Sequence, residues 1–340
     1  MPAPRDAVAV LRIIVGFVFL LSLLGSAGLT QVSLDEVHVV SRGVSPAVEN
    51  AAGPTQRAAG SLPPLVRTEV KLVLIPVSVT DPNQRLVSGL RAENFELFEG
   101  KKPQEIRHFS SEDAPVSIGI ILDVSGSMHE KMNRMREAVT KFCEAANPQD
   151  EFFMIVFADE PHLATDFTSA PEDLEKDLLF TQPKGRTALL DAIYMGLRKM
   201  KDAKYGKKAL LIISDGGDNH SLYTEKDVKA AAKESDVIIY AIGTFDRYVP
   251  TAEEVRGPEL LSHLAEPTGG EAFTLENEIA LPAVASHIGK ELRTQYVLGY
   301  RPEQMPKDGK WHKIQVKLRL PKKFSFLRAR AKSGYYAPAE

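Results

Sequence analysis

Two serines follow an aspartate in the stretch Asp123-Val124-Ser125-Gly126-Ser127, directly after an apolar run. The run 116–122 is typical of a buried strand, and apolar residues recur at helical spacing from Met132 to Ala146. The three polar side chains are therefore expected on a loop between a strand and a helix. In an open α/β sheet, such loops at the carboxyl ends of the strands bind ligands.

Two further polar loops are expected at the same edge of the sheet. Gly185-Arg186-Thr187 precedes a predicted helix, and Ser214-Asp215-Gly216-Gly217-Asp218-Asn219 follows the apolar strand 209–213. Hydroxyl and carboxylate oxygens, without histidine or cysteine, suit a hard cation such as Mg²⁺. If the serines and the threonine bind through neutral hydroxyls and the aspartates lie in an outer shell, the cation keeps an open position for an incoming carboxylate.

The elements that position these loops follow from periodicity. Strands alternate with helices over residues 113–292, which predicts an α/β fold with a doubly wound, mainly parallel six-stranded sheet flanked by helices. The predicted strands are 116–122, 152–157, 208–213, 237–242 and 271–275, with an edge strand near 162–167. The predicted helices lie near 129–146, 172–180, 188–203, 225–235, 257–265 and 278–292.

The segments on either side, 65–112 and 293–340, carry strand patterns without helices. In the first segment, 95–99 and 106–109 are expected to form a β-hairpin. Each flank alone offers only two or three strands, which is marginal for independent stability. We therefore expect both flanks to pack together as one accessory antiparallel β unit.

The amino-terminal segment 1–28 combines basic residues, an apolar run and small residues, as an export signal does. Retention as an uncleaved membrane anchor is the alternative. Residues 29–64 lose periodicity and collect Ser, Gly, Ala and Pro, which predicts a disordered linker. We expect an exported protein, in the periplasm, the cell envelope or the extracellular space, that contacts a membrane only through its amino-terminal segment.

The composition argues against several classes of function. A net charge of −3 over 340 residues gives no electrostatic case for nucleic acid. The single cysteine, Cys143, leaves no internal disulfide and no cysteine-built zinc site. A set of lysines near the carboxyl terminus is interleaved with apolar residues, as on a solvated strand face, and a lipid or polyanion patch is the alternative. These lysines are Lys307, Lys310, Lys313, Lys317, Lys322 and Lys323.

The stretch 123–127 has a simpler interpretation as well, because Asp and Ser are preferred at the start of helices. The strand before it, the helix after it and the two other loops favour the metal site. Nucleophilic catalysis has little support, since no Gly-x-Ser-x-Gly elbow surrounds Ser125 or Ser127 and no phosphate-binding loop motif occurs. We therefore expect that the protein is not an enzyme.

The motif Asp-Val-Ser-Gly-Ser-Met at 123–128 resembles Asp-x-Ser-x-Ser of the von Willebrand factor type A domain, and Thr187 and Asp215-Gly216 match that family's other two loops. The resemblance implies a metal-ion-dependent adhesion site that binds Mg²⁺ or Mn²⁺ and captures an Asp or Glu of a protein partner. The metal-site residues it implies are Asp123, Ser125, Ser127, Thr187 and Asp215. The β flanks also resemble those of exported bacterial proteins related to this family.

Residues around the three loops are candidates for a ligand-binding rim. They are Met128, His129, Arg186, Asp218, Asn219 and His220. Arg186 departs from the family, where a small residue often precedes the threonine, and its charge would either weaken the metal or hold an acidic ligand. The two histidines are also typical of solvated loops, and Asp218-Asn219 of an ordinary turn. Asp191, in the first turn of its helix, suits the helix dipole better than the metal.

The leading hypothesis is an exported, non-enzymatic, adhesion-type module that captures an acidic residue of a protein partner through Mg²⁺. The alternative is a scaffold or assembly component of a cell-envelope complex whose metal site is structural or vestigial. A metal-assisted hydrolase is the third hypothesis, and it lacks a general base that the sequence can identify.

Overall fold

The structure, a computed structural model, describes residues 72–245, 252–302 and 308–337, with only the backbone of 252–254. The predicted export segment 1–28 and the predicted linker 29–64 lie outside the described residues, so both stay predictions. None of the helices in the described ranges is both long and apolar enough to cross a membrane.

Three blocks of elements follow one another along the described residues. The first block holds β1 (Val73–Thr80), β2 (Phe95–Glu99), β3 (Lys102–Gln104) and β4 (Ile106–Ser110). The second holds β5 (Val116–Asp123), α1 (Met132–Glu144), β6 (Glu151–Phe157), β7 (Pro161–Thr168), α2 (Pro171–Leu179), α3 (Leu189–Lys199), β8 (Lys207–Ser214), α4 (Glu225–Glu234), β9 (Val237–Thr244), α5 (Ala252–Ala265), β10 (Ala272–Leu275) and α6 (Leu281–Thr294). The third holds β11 (Tyr296–Tyr300), β12 (Trp311–Leu318), β13 (Arg328–Ala331) and β14 (Gly334–Tyr336).

The second block forms one sheet with the strand order β10-β9-β8-β5-β6-β7. Its strands are parallel except β7, which pairs antiparallel with β6. β5 and β9 are buried along their whole length, because helices cover both faces of the sheet. The doubly wound, mainly parallel six-stranded sheet expected from the sequence is confirmed.

The hydrophobic core lies in two clusters, one on each face of this sheet. One cluster joins the sheet to α1, α2 and α6, with Phe142 fully buried, and the other joins it to α3, α4 and α5, with Ile193 fully buried. The register pairs Leu122 of β5 with Ile213 of β8. The two strands therefore end side by side, and the loops that follow them begin at the same edge.

The first and third blocks interleave as two antiparallel sheets, β13-β1-β11-β4 and β14-β12-β2-β3. β1 pairs with β11, where Val77 lies opposite Tyr296, and β12 pairs with β2, where Val316 lies opposite Leu97. Side chains of both blocks share one buried cluster, which includes Ile75 and Leu298. The accessory antiparallel β unit built from both flanks is thus confirmed.

The prediction of a hairpin between 95–99 and 106–109 is wrong. β2 turns instead into the short strand β3 through Gly100, which has φ +61°, and β4 crosses to the other sheet, where it pairs with β11. The physical reason is the aromatic packing of Phe109, whose ring centroid lies 5.9 Å from that of Tyr296 on β11. β3 carries Pro103 and forms the edge of its sheet, where a missing backbone donor is tolerated.

Candidate metal centre

The first loop begins at Asp123, the last residue of β5, whose carboxylate is completely buried. Its Oδ1 accepts a hydrogen bond of 2.9 Å from the backbone N–H of Ser125. The hydroxyl oxygens of Ser125 and Ser127 lie 3.1 Å apart, and Ser125 is buried while Ser127 is exposed. The aspartate thus shapes the loop, and the paired hydroxyls lie between the buried sheet edge and solvent.

The second loop contacts the first through the backbone. The N–H of Gly126 donates to the carbonyl of Gly185 over 3.2 Å. Gly185 has φ +87°, and a Cβ at this position would lie 2.4 Å from Oδ2 of Asp159, so the conformation requires glycine. Oδ1 of Asp159 accepts from the N–H of Arg186 over 2.9 Å. Asp159 therefore fixes the loop immediately before Thr187.

Thr187 joins the second loop to the third. Its N–H donates to Oδ1 of Asn219 over 3.1 Å, and its carbonyl accepts from the N–H of Asn219 over 3.0 Å. Thr187 is buried, with 5% of its surface exposed. The three loops predicted to converge are therefore connected pairwise by hydrogen bonds.

The third loop brings a second buried acid to the same place. Asp215 is 2% exposed; its Oδ1 accepts from the N–H of Gly217 over 3.3 Å, and its Oδ2 has no hydrogen-bond partner among the described residues. Ser214 donates from Oγ to Oδ2 of Asp123 over 2.7 Å and accepts from the N–H of Gly216 over 2.9 Å. Ser214 therefore connects the two acidic loops.

Sequence reasoning did not assign a role to Ser214, although it named the loop that contains it. The available signal was a serine at the last position of an apolar strand, beside the strand that ends at Asp123. Asp159 was missed for a different reason. It lies in the turn between β6 and β7, and no periodicity connects that turn to Thr187.

The electrostatics of the two acids favour a bound cation. Burial, together with the negative charge of Asp215, raises the pKa of the Asp123 carboxyl to about 7. A cation beside both carboxylates would remove this repulsion and would interact with the unpartnered Oδ2 of Asp215. Among the described residues there is no group of three or more His, Cys, Asp or Glu side chains placed to hold a metal. The donors available here are two carboxylates and three hydroxyls, which suit Mg²⁺ rather than zinc.

Four of the predicted rim residues are exposed at this edge: His129, Arg186, Asn219 and His220. Nη1 of Arg186 lies 3.4 Å from Nδ1 of His220, so the second and third loops also meet at the surface. The Asn219 side chain is engaged with the backbone of Thr187, as described above. Its role is therefore to hold the loops together.

Two other predicted rim residues are placed differently. Met128 is completely buried in the hydrophobic core, so its assignment to the rim is wrong. The short 3-10 turn that follows Ser125 directs this apolar side chain inward. Asp218 is half-buried and accepts from the Ser221 hydroxyl over 2.6 Å and from the N–H of Leu190 over 3.3 Å. It connects the third loop to the start of α3.

Asp191, in the first turn of α3, does more than complement the helix dipole. Its Oδ1 accepts from the backbone N–H groups of Leu222 and Tyr223, each over 2.9 Å. These bonds fasten the segment between the third loop and α4 to α3. Asp191 therefore supports the loop that carries Asp218, Asn219 and His220.

Comparison with known proteins agrees with this arrangement of loops. Residues 118–217 match the family model of the von Willebrand factor type A domain, and this range includes the first two loops and residues 214–217 of the third. No curated protein shows a significant match to the chain.

Several solved structures are similar at low sequence identity. A conserved hypothetical protein, BatB from Bacteroides thetaiotaomicron, is 20% identical with a TM-score of 0.42, over 52% of this chain and 98% of that protein. A von Willebrand factor type A protein from Catenulispora acidiphila is 14% identical with a TM-score of 0.48, over 80% of this chain and 64% of that protein. The vWF domain of the type V pili tip protein Mfa5 from Porphyromonas gingivalis is 14% identical with a TM-score of 0.43, over 52% of this chain and 95% of that protein.

Proposed function

We infer the function of this chain from its von Willebrand factor type A domain, which is recognised at residues 118–217. We propose that the protein is an exported, non-enzymatic binding module that captures an acidic residue of a protein partner through Mg²⁺ or Mn²⁺ held by the three loops. The observation that carries this proposal is the buried pair Asp123 and Asp215, with Oδ2 of Asp215 unpartnered among the described residues and two paired serine hydroxyls on the loop that follows Asp123.

In this proposal the hydroxyls of Ser125, Ser127 and Thr187 bind the cation directly. Asp123 and Asp215 balance its charge from the outer shell. The bound cation supplies one electrophilic position for an incoming carboxylate, because neutral hydroxyls do not quench its charge as a direct carboxylate ligand would. Because Ser127 is exposed and Ser125 is buried, we expect that position to face solvent at the surface of the loops.

Arg186 and His220 provide the second part of the binding surface. Both are exposed and lie together beside the loop of Thr187. A guanidinium group can bind a carboxylate with two hydrogen bonds, so Arg186 would hold the partner's acidic side chain or its neighbour. Arg186 thus contributes to selection of acidic ligands, and its charge is directed at the partner.

Export is the second part of the proposal and rests on segment 1–28. A basic start followed by an apolar run would direct the chain across a membrane. Comparison of the secreted, periplasmic and membrane fractions of producing cells would test it. Retention of the full chain in the cytoplasm would contradict export.

The binding test compares capture of envelope proteins by the immobilised full chain in Mg²⁺ and in EDTA. The variant Ser127→Ala removes one exposed hydroxyl of the site, and Ser88→Ala removes an exposed hydroxyl of the β unit as a matched control. A second extract has its carboxylates amidated. We expect a captured protein that wild type and Ser88→Ala retain in Mg²⁺ and that is lost in EDTA, with Ser127→Ala and after amidation.

Capture that persists in EDTA and with Ser127→Ala would overturn the proposal. If EDTA lowers the melting temperature while capture is unchanged, the metal is structural and the protein acts as a scaffold component. Loss of capture in EDTA without any effect of amidation would exclude an acidic residue as the ligand.

A further inference from the structure

The carboxyl-terminal β strands carry a strong segregation of charge. Residues 309–339 contain no Asp or Glu, although the whole chain has a net charge of −3. Within this stretch, Arg330 and Lys332 form ion pairs with acids of the α/β domain. The other cations have no carboxylate within ion-pair distance among the described residues. They are Lys310, Lys313, Lys317, Arg319, Lys322, Lys323 and Arg328.

Several of these cations share the outer face of β12. Lys313, Lys317 and Arg319 alternate with inward-facing residues and are exposed. Aromatic rings lie among them. Nζ of Lys317 is 4.8 Å from the ring centroid of Phe98 on the neighbouring strand, and the rings of Trp311 and Tyr336 pack edge to face at 5.1 Å.

The turn between β12 and β13 exposes two phenylalanines. Phe324 is 39% exposed and Phe326 is 49% exposed, and their ring centroids lie 6.5 Å apart. Lys322 and Lys323 precede them and Arg328 follows. Phenylalanine has no polar group that water can solvate, so this pair favours an apolar environment bordered by anions.

We propose that this basic aromatic face, formed by the outer side of β12 and the turn 321–327, binds the surface of an anionic lipid bilayer. Phe324 and Phe326 insert between the headgroups, and the surrounding lysines and arginines lie against the phosphates. The proposal is independent of the metal site. It adds a membrane contact to the one expected from the amino-terminal segment.

The arrangement of the rings favours a bilayer over a nucleic acid. Proteins that bind single strands track the backbone along a basic groove and stack successive bases on aromatic rings. Here the rings of Phe324 and Phe326 lie at the tip of one turn, and their planes are tilted by 62°. Such a tip suits insertion between lipid headgroups, because insertion requires neither a groove nor parallel ring faces.

The single tryptophan of the chain, Trp311, provides a reporter on this face. The experiment measures energy transfer from Trp311 to dansyl-labelled lipid as the full chain is titrated with vesicles. One set of vesicles is phosphatidylcholine alone, and the other is phosphatidylcholine and phosphatidylglycerol in equal parts. We expect stronger transfer with the anionic vesicles than with the neutral ones at low salt, and loss of this difference in high salt.

Two double variants test the residues. Phe324→Ala with Phe326→Ala should weaken the vesicle partition coefficient about tenfold or more, because two rings no longer insert. Lys322→Gln with Lys323→Gln should weaken it about 30-fold. Circular dichroism of each variant checks that the fold is retained.

The chain offers matched controls for both variants. Leu179 and Phe180 are an exposed apolar pair, 65% and 85% exposed, at the end of α2, whose charged residues are mostly acidic. Leu179→Ala with Phe180→Ala should leave partitioning unchanged, as should Lys201→Gln with Lys204→Gln on an exposed turn. Insertion of segment 1–28 would act on both vesicle types and in all variants alike, so it does not imitate these differences.

Equal transfer with neutral and anionic vesicles, or with the Phe324/Phe326 variant and wild type, would overturn the proposal. A fluorescent single-stranded oligonucleotide that binds this face and is unaffected by the phenylalanine substitutions would also overturn it. That result would identify a polyanion site in place of a membrane contact.

Discussion

Asp123 and Asp215 are two acids that the protein buries side by side. Like charges in a buried place destabilise the folded state unless one is neutralised, and here the pKa of Asp123 is raised by burial and by the neighbouring carboxylate. Ser214 offsets part of this cost by its hydrogen bond to Asp123. Oδ2 of Asp215 receives no such bond from the described residues. A cation beside both carboxylates would neutralise this repulsion, as the proposed site requires.

Replacing one of these acids should raise the free energy of unfolding, whereas most substitutions lower it. Asp215→Asn keeps an oxygen for the N–H of Gly217 and removes the charge beside Asp123, so it should stabilise the metal-free protein by about 1 kcal/mol or more at pH 8. The same variant should lose the rise in melting temperature that Mg²⁺ gives to wild type. Urea unfolding in EDTA and thermal unfolding with Mg²⁺ measure the two effects.

Asp218→Asn is the matched control, since Asp218 lies in the same loop but has its own partners, Ser221 and Leu190. It should keep the Mg²⁺-dependent rise in melting temperature. Destabilisation of the metal-free protein by Asp215→Asn, with the Mg²⁺ response intact, would show that Asp215 is only a loop-forming residue.

Gly185 gives a second test at the residue scale. An alanine there must adopt φ near +87° and lies against Asp159, so Gly185→Ala should cost about 1–2 kcal/mol and disturb the loop of Thr187. Gly206→Ala is the control, because a Cβ at Gly206 has no neighbour within 4 Å and its φ is not positive. Urea unfolding should give a lower free energy of unfolding for Gly185→Ala than for Gly206→Ala. Equal values would mean that the second loop adapts without strain.

At the scale of elements, a buried ionic network joins α6 to the β unit. Glu291 on α6 is completely buried and accepts from the hydroxyl of Tyr240 over 2.7 Å and from Arg330 on β13. Arg330 also pairs with Glu271, just before β10. Buried charges of this kind require their partners, so the network specifies how the last helix contacts the β unit.

Arg330→Met should therefore destabilise the protein by about 3–5 kcal/mol, because it leaves Glu291 buried without its cation. The double variant with Glu291→Leu should recover most of that loss, since it removes the stranded charge. Arg85→Met is the control, because its ion pair with Asp81 is exposed on the arginine side and contributes little to stability. Failure of Glu291→Leu to recover stability would show that packing, and not charge, makes Arg330 important.

Sequence periodicity predicted the elements of the α/β block because a strand buried on both faces and an amphipathic helix leave distinct patterns. It failed for the hairpin at 95–109, since alternation reveals which face of a strand is buried but not which strand is its partner. Met128 was misplaced because it ends a short 3-10 turn that directs its side chain into the core, which the sequence pattern did not reveal. The first and third loops were found because polar residues follow apolar strands, and the second because Gly185-Arg186-Thr187 precedes a predicted helix.

The whole molecule combines surfaces of opposite character. The edge of the central sheet gathers carboxylates and hydroxyls that suit a cation, while the outer face of the carboxyl-terminal strands gathers cations and aromatic rings. The first surface combines loops from β5, β8 and the start of α3, and the second exists only because both flanks pair with each other. Both surfaces therefore depend on the fold, since the first combines three loops and the second, although its residues lie within 311–328, rests on the pairing of β12 with β2.

The central claim is that the three loops form one divalent cation site. A crystal structure with Mn²⁺, with anomalous diffraction to locate the ion, tests it most directly. We expect an anomalous peak about 2.1 Å from the hydroxyl oxygens of Ser125, Ser127 and Thr187, with water at an open position and the two aspartates in the outer shell. A peak bound elsewhere, or none at these hydroxyls in a well-ordered site, would contradict it.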